Sequence, residues 1–195
     1  MTALPKKRYV SPEEYLASER EALEKHEYLD GEVFAMAGAK AAHVEICSNL
    51  MINLGSQLRE KNCRAYQSDL RTHIPKTGLY TYPDIIVVCG KAELVPDGHL
   101  DTLLNPTLII EVLSPSTADY DRGAKFDHYK TIETLKEYVL VWQNKRRVAR
   151  NTRHDDDSWL LTDFIGEDSE VELSSIGCTL TMAEIYDRVE GLEPQ

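Results

Sequence analysis

The chain has 195 residues, 42% of them hydrophobic, and a formal net charge of −11. These values indicate a single globular domain, residues 1–195, with a sizeable core, and they exclude a membrane protein because no run reaches the roughly 18–20 apolar residues of a membrane span. Residues 1–10 lack the apolar segment of a secretory signal, so we expect a cytoplasmic protein. The four cysteines show no Cys-x-x-Cys spacing, which argues against a zinc site or a disulfide framework and predicts reduced thiols.

The negative charge is confined to an acidic C-terminal segment, residues 154–195. This segment holds 12 acidic side chains and one basic side chain, whereas residues 1–153 hold 21 of each. Because phosphate binding depends on cationic contacts, the overall acidity argues against a nucleic-acid enzyme, but its distribution weakens that objection. The basic segment at residues 145–153 is compatible with contact to a phosphate backbone and equally with a soluble, charged hairpin.

The first part of the chain predicts a helix, a hairpin and a long helix before the sheet begins. Ser11 followed by Pro12 is typical of a helix start, and Asp30-Gly31 is typical of a two-residue hairpin turn. Further along, apolar residues recur at helical spacing. We predict a helix that begins at Ser11, a hairpin over residues 26–36, a long helix over residues 40–61, and strands over residues 64–67 and 70–74.

Two short apolar strands each carry one acid, and this pair is the most informative feature of the sequence. Residues 83–88 contain Asp84, and residues 108–113 contain Glu111. Continuous β-branched and aliphatic runs belong to strands covered on both faces, where a carboxylate needs a cation or hydrogen-bond donors to replace its lost hydration. Two such acids on neighbouring strands predict a shared divalent metal. Turn chemistry at Asp84 and a buried ion pair at Glu111 are the structural alternatives.

The remaining elements complete a mixed α/β sheet flanked by helices, without the regular alternation of a doubly wound fold. We predict a helix capped near Thr117 and running to residue 132, strands over residues 138–142, 146–150 and 159–164, and a short helix over residues 182–189.

Lys125 is the best candidate for a basic group beside these acids. In the predicted helix it shares a face with the packing residues Tyr129 and Ile132, so we expect it to lean toward the sheet near Glu111. An amine there can orient a water molecule and offset charge on a phosphate. A salt bridge to Asp121, one turn earlier, is the alternative.

Three motifs stand out along this part of the chain: Pro83-Asp84, residues 111–117 (EVLSPST), and residues 122–125 (RGAK) with Tyr129. Together they resemble the motifs of the Uma-two family of endonucleases, in the PD-(D/E)XK, or restriction-endonuclease-like, superfamily. The similarity extends over residues 10–153 and includes the hairpin at residues 28–32 and His43. It implies a restriction-endonuclease-like mixed central sheet with additional antiparallel strands.

The resemblance also implies a mechanism and its residues. Asp84 and Glu111, with the backbone carbonyl of Val112, would bind Mg²⁺ or Mn²⁺, and Lys125 would assist the attacking water. The family's activity would be hydrolysis of DNA phosphodiester bonds by a homodimer. One position departs from the superfamily pattern, since the lysine expected two residues after the acid is Leu113. The alternative function is a catalytically inactive scaffold that acts as a nucleic-acid or protein interaction module.

Secondary candidates carry less weight. We expect His43 to be a packed or capping side chain, and Glu27 and Asp69 to be surface or hydrogen-bonding acids rather than a third metal ligand. Residues 154–157 (HDDD) read as a solvated turn rather than a metal site.

Overall fold

The structure is a computed structural model and describes residues 8–193. Along the chain the elements are α1 (Pro12–Glu19), β1 (His26–Leu29), β2 (Glu32–Ala35), α2 (Ala41–Gln57), β3 (Cys63–Gln67), β4 (Arg71–Ile74), β5 (Leu79–Thr81), β6 (Ile85–Cys89), β7 (Thr102–Leu103), β8 (Leu108–Leu113), α3 (Ala118–Arg122), α4 (Ala124–Tyr129), β9 (Glu137–Trp142), β10 (Arg147–Arg153), β11 (Trp159–Ile165), β12 (Glu170–Leu173), β13 (Cys178–Thr181) and α5 (Met182–Ile185). No helix in this part of the chain combines the length and apolar character needed to cross a membrane.

A six-stranded mixed sheet lies at the centre, in the order β11-β10-β9-β8-β6-β3. Its strands pair antiparallel except β8 and β9, which are parallel. Ile85 of β6 pairs with Ile110 of β8, so Asp84, one residue before β6, comes opposite Glu111. The sheet order therefore makes neighbours of the two acids that the sequence singles out.

The central sheet is covered on both faces, as the apolar character of β8 predicts. Alternate residues of β8 point to opposite sides of the sheet. Leu108, Ile110 and Val112 pack in one cluster with α2, whereas Ile109 and Leu113 pack in another cluster with α4. Glu111 lies between Ile109 and Leu113 on the same face of β8, and so its side chain points toward α4.

Two smaller sheets complete the fold. The first has the order β2-β1-β5-β4-β7, and the second is the hairpin β12-β13. Apolar side chains of β12, β13 and α5 pack in the same cluster as α2 and the central sheet. The described part of the acidic C-terminal segment therefore contributes directly to the main core.

The structure breaks the helix predicted from Thr117 to residue 132 into α3 and α4. Gly123 stands between them with φ −114° and ψ −104°, far from helical values. A Cβ at this position would lie 3.0 Å from the Asp119 carbonyl oxygen, so glycine suits the tight break. The prediction of one continuous helix is wrong for this reason. The helices predicted over residues 40–61 and 182–189 both end earlier, and the short strands β5, β7, β12 and β13 were not predicted.

The prediction of four reduced thiols is also wrong, because Cys63 and Cys89 form a disulfide. These residues are directly opposite each other in the antiparallel pairing of β3 with β6. They are 26 residues apart in the chain, and so the spacing gives no indication of the pair. Cys47 and Cys178 are free.

Two isoleucines of α2 provide a matched test of this packing. Ile46 is fully buried in the main core, whereas Ile52 on the same helix is 69% exposed. We expect Ile46→Ala to lower the free energy of unfolding by about 2–5 kcal/mol, because it leaves a cavity. Ile52→Ala should change it by about 0.5 kcal/mol or less. Urea unfolding measures both, and equal losses would contradict the placement of α2.

Candidate active site

Glu111 lies in the middle of the site and has partners on both carboxylate oxygens. It is 4% exposed. Its Oε1 lies 3.0 Å from the Lys125 Nζ and accepts a hydrogen bond of 2.8 Å from the Tyr129 hydroxyl. Its Oε2 accepts the backbone N–H of Asp84 at 3.2 Å. These donors replace the hydration that the carboxylate loses on burial.

Asp84 binds the neighbouring strand through its side chain as well as its backbone. Its Oδ2 accepts the backbone N–H of Val112 at 2.7 Å, and its Oδ1 lies 3.0 Å from Nε2 of His43. The Asp84 side chain is 18% exposed, so solvent reaches the site from this side. The structure thus brings together Asp84, Glu111 and the Val112 backbone.

Lys125 reaches the site from α4, on the same side of the sheet as Glu111. It is 4% exposed, and three carboxylates surround its ammonium group. The Nζ lies 3.0 Å from Glu111, 3.0 Å from Glu27 on β1, and 3.5 Å from Asp121 on α3. Lys125 therefore points toward the sheet near Glu111, and it also forms the salt bridge to Asp121 that the sequence offered as an alternative.

The site has more negative groups than positive ones, and the titration of Glu111 reflects this. Burial, with help from Asp84 and Asp121, raises the pKa of Glu111 to about 8, although Lys125 opposes the shift. Burial also raises the pKa of Asp121. For Lys125, burial lowers the pKa, but the attraction of the surrounding carboxylates outweighs it and holds the amine charged. Near neutral pH, one proton on Glu111 reduces the surplus negative charge.

His43 and Glu27, which the sequence made only secondary candidates, both contact residues of the site. Burial is the largest influence on His43 and disfavours its charged form, but the hydrogen bond and charge of Asp84, together with Asp121 and the Val112 backbone, outweigh it and raise the pKa of the imidazole overall. Glu27 also accepts a hydrogen bond from the Thr81 hydroxyl. Asp69 instead pairs with Lys25, with 87% of its own side chain exposed. Residues 154–157 form an exposed turn between β10 and β11, as predicted.

The donor groups fit a hard divalent cation. The Asp84 and Glu111 carboxylates come from neighbouring strands, and each accepts a backbone N–H from the other strand. The Val112 backbone lies beside them, because its N–H is the donor to Asp84. Carboxylate and carbonyl oxygens are the ligands that Mg²⁺ prefers. A cation here would also relieve the repulsion between the carboxylates.

Most of the basic segment at residues 145–153 is engaged within the chain. Arg147 binds Asp163 at 2.8 Å, Arg146 lies 3.4 Å from Glu167, and Arg150 and Arg153 donate to backbone carbonyls. Lys145 differs, because no carboxylate of residues 8–193 lies within ion-pair distance of it. The same is true of exposed Arg122.

Arg122 and Lys145 both lie over the ring of Trp142, at 6.0 and 5.9 Å from its centre. Trp142 pairs with Leu113 at the end of β8, two residues after Glu111. Two cations without an ion-pair partner among residues 8–193 therefore lie beside the loop that follows the acid-bearing strand.

The mixed sheet, its flanking helices and this cluster of acids around a lysine define a protein of restriction-endonuclease-like fold. The model of the Uma2 family, described as "Putative restriction endonuclease", matches residues 12–183. The chain therefore belongs to the Uma2 family, as the resemblance in its motifs predicted.

Two uncharacterised proteins and one solved structure are similar to this chain. The uncharacterised Synechocystis protein sll1609 is 37% identical over 161 residues, which is 83% of this chain and 90% of that protein. The uncharacterised protein slr1290 of the same organism is 37% identical over 177 residues, 91% of each chain. The crystal structure of a "putative nuclease belonging to DUF820" from Anabaena variabilis superposes with a TM-score of 0.70 over 85% of this chain and 91% of its own. At 19% identity that similarity shows the fold alone.

The raised pKa of Glu111 predicts a pH-dependent stability. The folded chain holds a proton that the unfolded chain releases near the ordinary value of 4.5. The contribution of this group to the free energy of unfolding is therefore full below about 4.5 and is lost as the pH rises through about 8. We expect Glu111→Gln, which keeps a neutral side chain, to remove this decline. Urea unfolding across that range measures it, with exposed Glu60→Gln as the control. Parallel curves for the parent and Glu111→Gln would contradict the shift.

Proposed function

We propose that the protein is a Mg²⁺- or Mn²⁺-dependent endonuclease that hydrolyses phosphodiester bonds of DNA. The observation that carries the proposal is the register of β6 and β8, which sets Asp84 opposite Glu111 with the Lys125 amine 3.0 Å from the latter. Membership of the Uma2 family and the restriction-endonuclease-like fold support it, since nucleases of this fold generally use divalent metals.

Asp84, Glu111 and the Val112 carbonyl would hold the metal. Bound there, a divalent cation supplies positive charge at the phosphate and lowers the pKa of water. The Asp84 side chain lies at the solvent-exposed edge of the site, so we expect the substrate to approach from that edge. Glu111 must release its proton to act as a ligand, and the nearby amine favours that release.

Lys125 would act as the donor that orients the attacking water and offsets charge on the phosphate. Glu27 and Asp121 hold its ammonium group in place beside Glu111, so its position is fixed before substrate binds. The superfamily's strand position, Leu113, is an apolar residue 2% exposed in the core. In this proposal Lys125 of α4 supplies the amine that the superfamily pattern places at the strand position of Leu113.

Arg122 and Lys145 are the side chains that we propose to contact the DNA backbone. Both are free of ion pairs within the described chain, and both flank the loop after β8. Cations placed this way contribute sequence-independent affinity through phosphate contacts. The net charge of the chain is negative, which disfavours DNA binding, but the DNA would contact only the local surface that carries these two cations.

We further propose a homodimer, because one site per chain cuts one strand and a pair of chains can cut both strands of a duplex. Light scattering at assay concentration tests this, and the mass of a single chain with and without DNA would contradict it.

An inactive scaffold is the second candidate, favoured by one observation. Both Glu111 and Lys125 are 4% exposed and fully partnered within the chain, as expected of a purely structural ion pair. Calorimetry separates the two functions. A metal-dependent nuclease binds Mn²⁺ in a manner that requires Glu111 as well as Asp84, whereas a scaffold without this metal site gives no such binding.

Conservative substitutions test the catalytic roles. We expect Asp84→Asn and Glu111→Gln to keep the fold and to reduce cleavage of supercoiled plasmid in Mg²⁺ by about 100-fold or more, because each loses a metal-binding charge. Lys125→Met should lose a similar factor, because it removes the donor. Circular dichroism confirms folding of each variant.

Lys130→Met is the matched control for Lys125→Met. Lys130 follows α4 and pairs with Asp127 at the surface, so its loss should leave cleavage unchanged. Cleavage by Asp84→Asn and Glu111→Gln at the rate of the parent would exclude this site.

Charge reversal tests the DNA surface. We expect Arg122→Glu and Lys145→Glu each to weaken duplex binding uniformly across sequences and to reduce the slope of log affinity against log salt by about 1. Arg188→Glu, at a side chain 92% exposed beside Asp187, is the control and should leave the slope as it is. Fluorescence anisotropy measures all three, and an unchanged slope for both test variants would contradict the proposed surface.

A further inference from the structure

Three side chains with metal-binding atoms meet at the exposed edge of the site. His43 and Cys47 lie four residues apart on α2, and Asp84 lies before β6. One ligand atom from each residue lies within 4.8 Å of the other two, and all three side chains are partly exposed. Residues four apart share one face of a helix, a spacing by which helices commonly present two ligands to one ion.

The chemistry of these three groups differs from that of the Asp84–Glu111 pair. An imidazole, a thiol and a carboxylate suit borderline and soft transition metals such as Zn²⁺ and Co²⁺, whereas Mg²⁺ takes oxygen ligands. Each residue taken alone has a structural role, since the Cys47 thiol packs against the main core and His43 binds Asp84. These separate roles do not explain why the ligand atoms of all three residues lie close together.

The electrostatic surroundings also favour a cation. Burial and the charges of Asp84 and Glu111 raise the pKa of the Cys47 thiol, so the metal-free site holds a protonated sulfur in a negative environment. A divalent cation reverses that preference, because a coordinating thiol gives up its proton.

We propose that His43, Cys47 and Asp84 form a binding site for a transition metal ion, Zn²⁺ or Co²⁺, with a position left for water. On binding, the sulfur–hydrogen bond of Cys47 breaks, its proton passes to the buffer, and the thiolate sulfur bonds the metal. His43 binds as the neutral imidazole, so any second proton on its ring also passes to the buffer.

The proposed site shares Asp84 with the oxygen-ligand site for Mg²⁺. Zn²⁺ bound at the Asp84 oxygen that faces His43 would place a second positive charge next to the Mg²⁺ position, so it would weaken Mg²⁺ binding and inhibit cleavage. This consequence for regulation rests on the proposed nuclease function, whereas metal binding itself does not.

Co²⁺ absorption tests the site without an activity assay. Titration of the purified chain with Co²⁺ alone should produce a thiolate-to-metal charge-transfer band in the near ultraviolet. The band should be absent in Cys47→Ser and present in Cys178→Ser, which removes the other free cysteine. Circular dichroism checks folding, and Cys47→Ala replaces the serine variant if the latter does not fold.

Zn²⁺ calorimetry gives a second measurement. We expect His43→Ala to weaken Zn²⁺ binding by about tenfold or more. A folded parent chain without the Co²⁺ band, or a band that persists after loss of Cys47, would overturn the proposal. Failure of the proposed nuclease function is a separate result. A parent chain that shows the band but cleaves no DNA in Mg²⁺ would support this metal site and contradict the nuclease function.

Discussion

The contact between Glu111 and Lys125 is the interaction on which the rest of the site depends. It joins the central strand β8 to α4, and the same ammonium group binds Glu27 of β1 and Asp121 of α3. Four elements, of which β1 is distant from the others in sequence, are therefore fixed to one another through a single nitrogen atom. Removing one partner of such a buried pair typically costs about 3–5 kcal/mol, so this contact is a constraint on folding as well as a feature of the site.

The single Lys125 ammonium group does not neutralise the carboxyl groups of this site. The remaining negative charge is the structural feature that a metal ion would use. Glu27, Glu111 and Asp121 surround Lys125, and Asp84 adds a fourth carboxyl group through its hydrogen bond with Val112. The metal-free protein reduces the repulsion by raising the pKa of Glu111 to about 8. A divalent cation would remove the same repulsion more completely, which is why the arrangement suits metal binding better than a simple ion pair does.

Much of this arrangement was predictable from local sequence. The apolar runs with single acids identified β8 and the start of β6, and the helical spacing of Lys125 and Tyr129 oriented the amine correctly within α4. What escaped prediction depends on contacts between distant segments. Glu27 reaches Lys125 only because β1 belongs to a second sheet, and Cys63 meets Cys89 only through the pairing of β3 with β6. The break at Gly123 was missed because glycine within a helical pattern is often tolerated. The catalytic roles of Asp84, Glu111 and Lys125 stay predictions.

Anomalous scattering from crystals grown with Mn²⁺ tests the central claim most directly, since it locates the ion without reference to activity. The account predicts a peak in contact with the carboxylates of both Asp84 and Glu111, with the Lys125 amine still beside Glu111. A well-ordered crystal in Mn²⁺ with no peak between these two acids would contradict it and leave a buried ion pair as the explanation of the cluster.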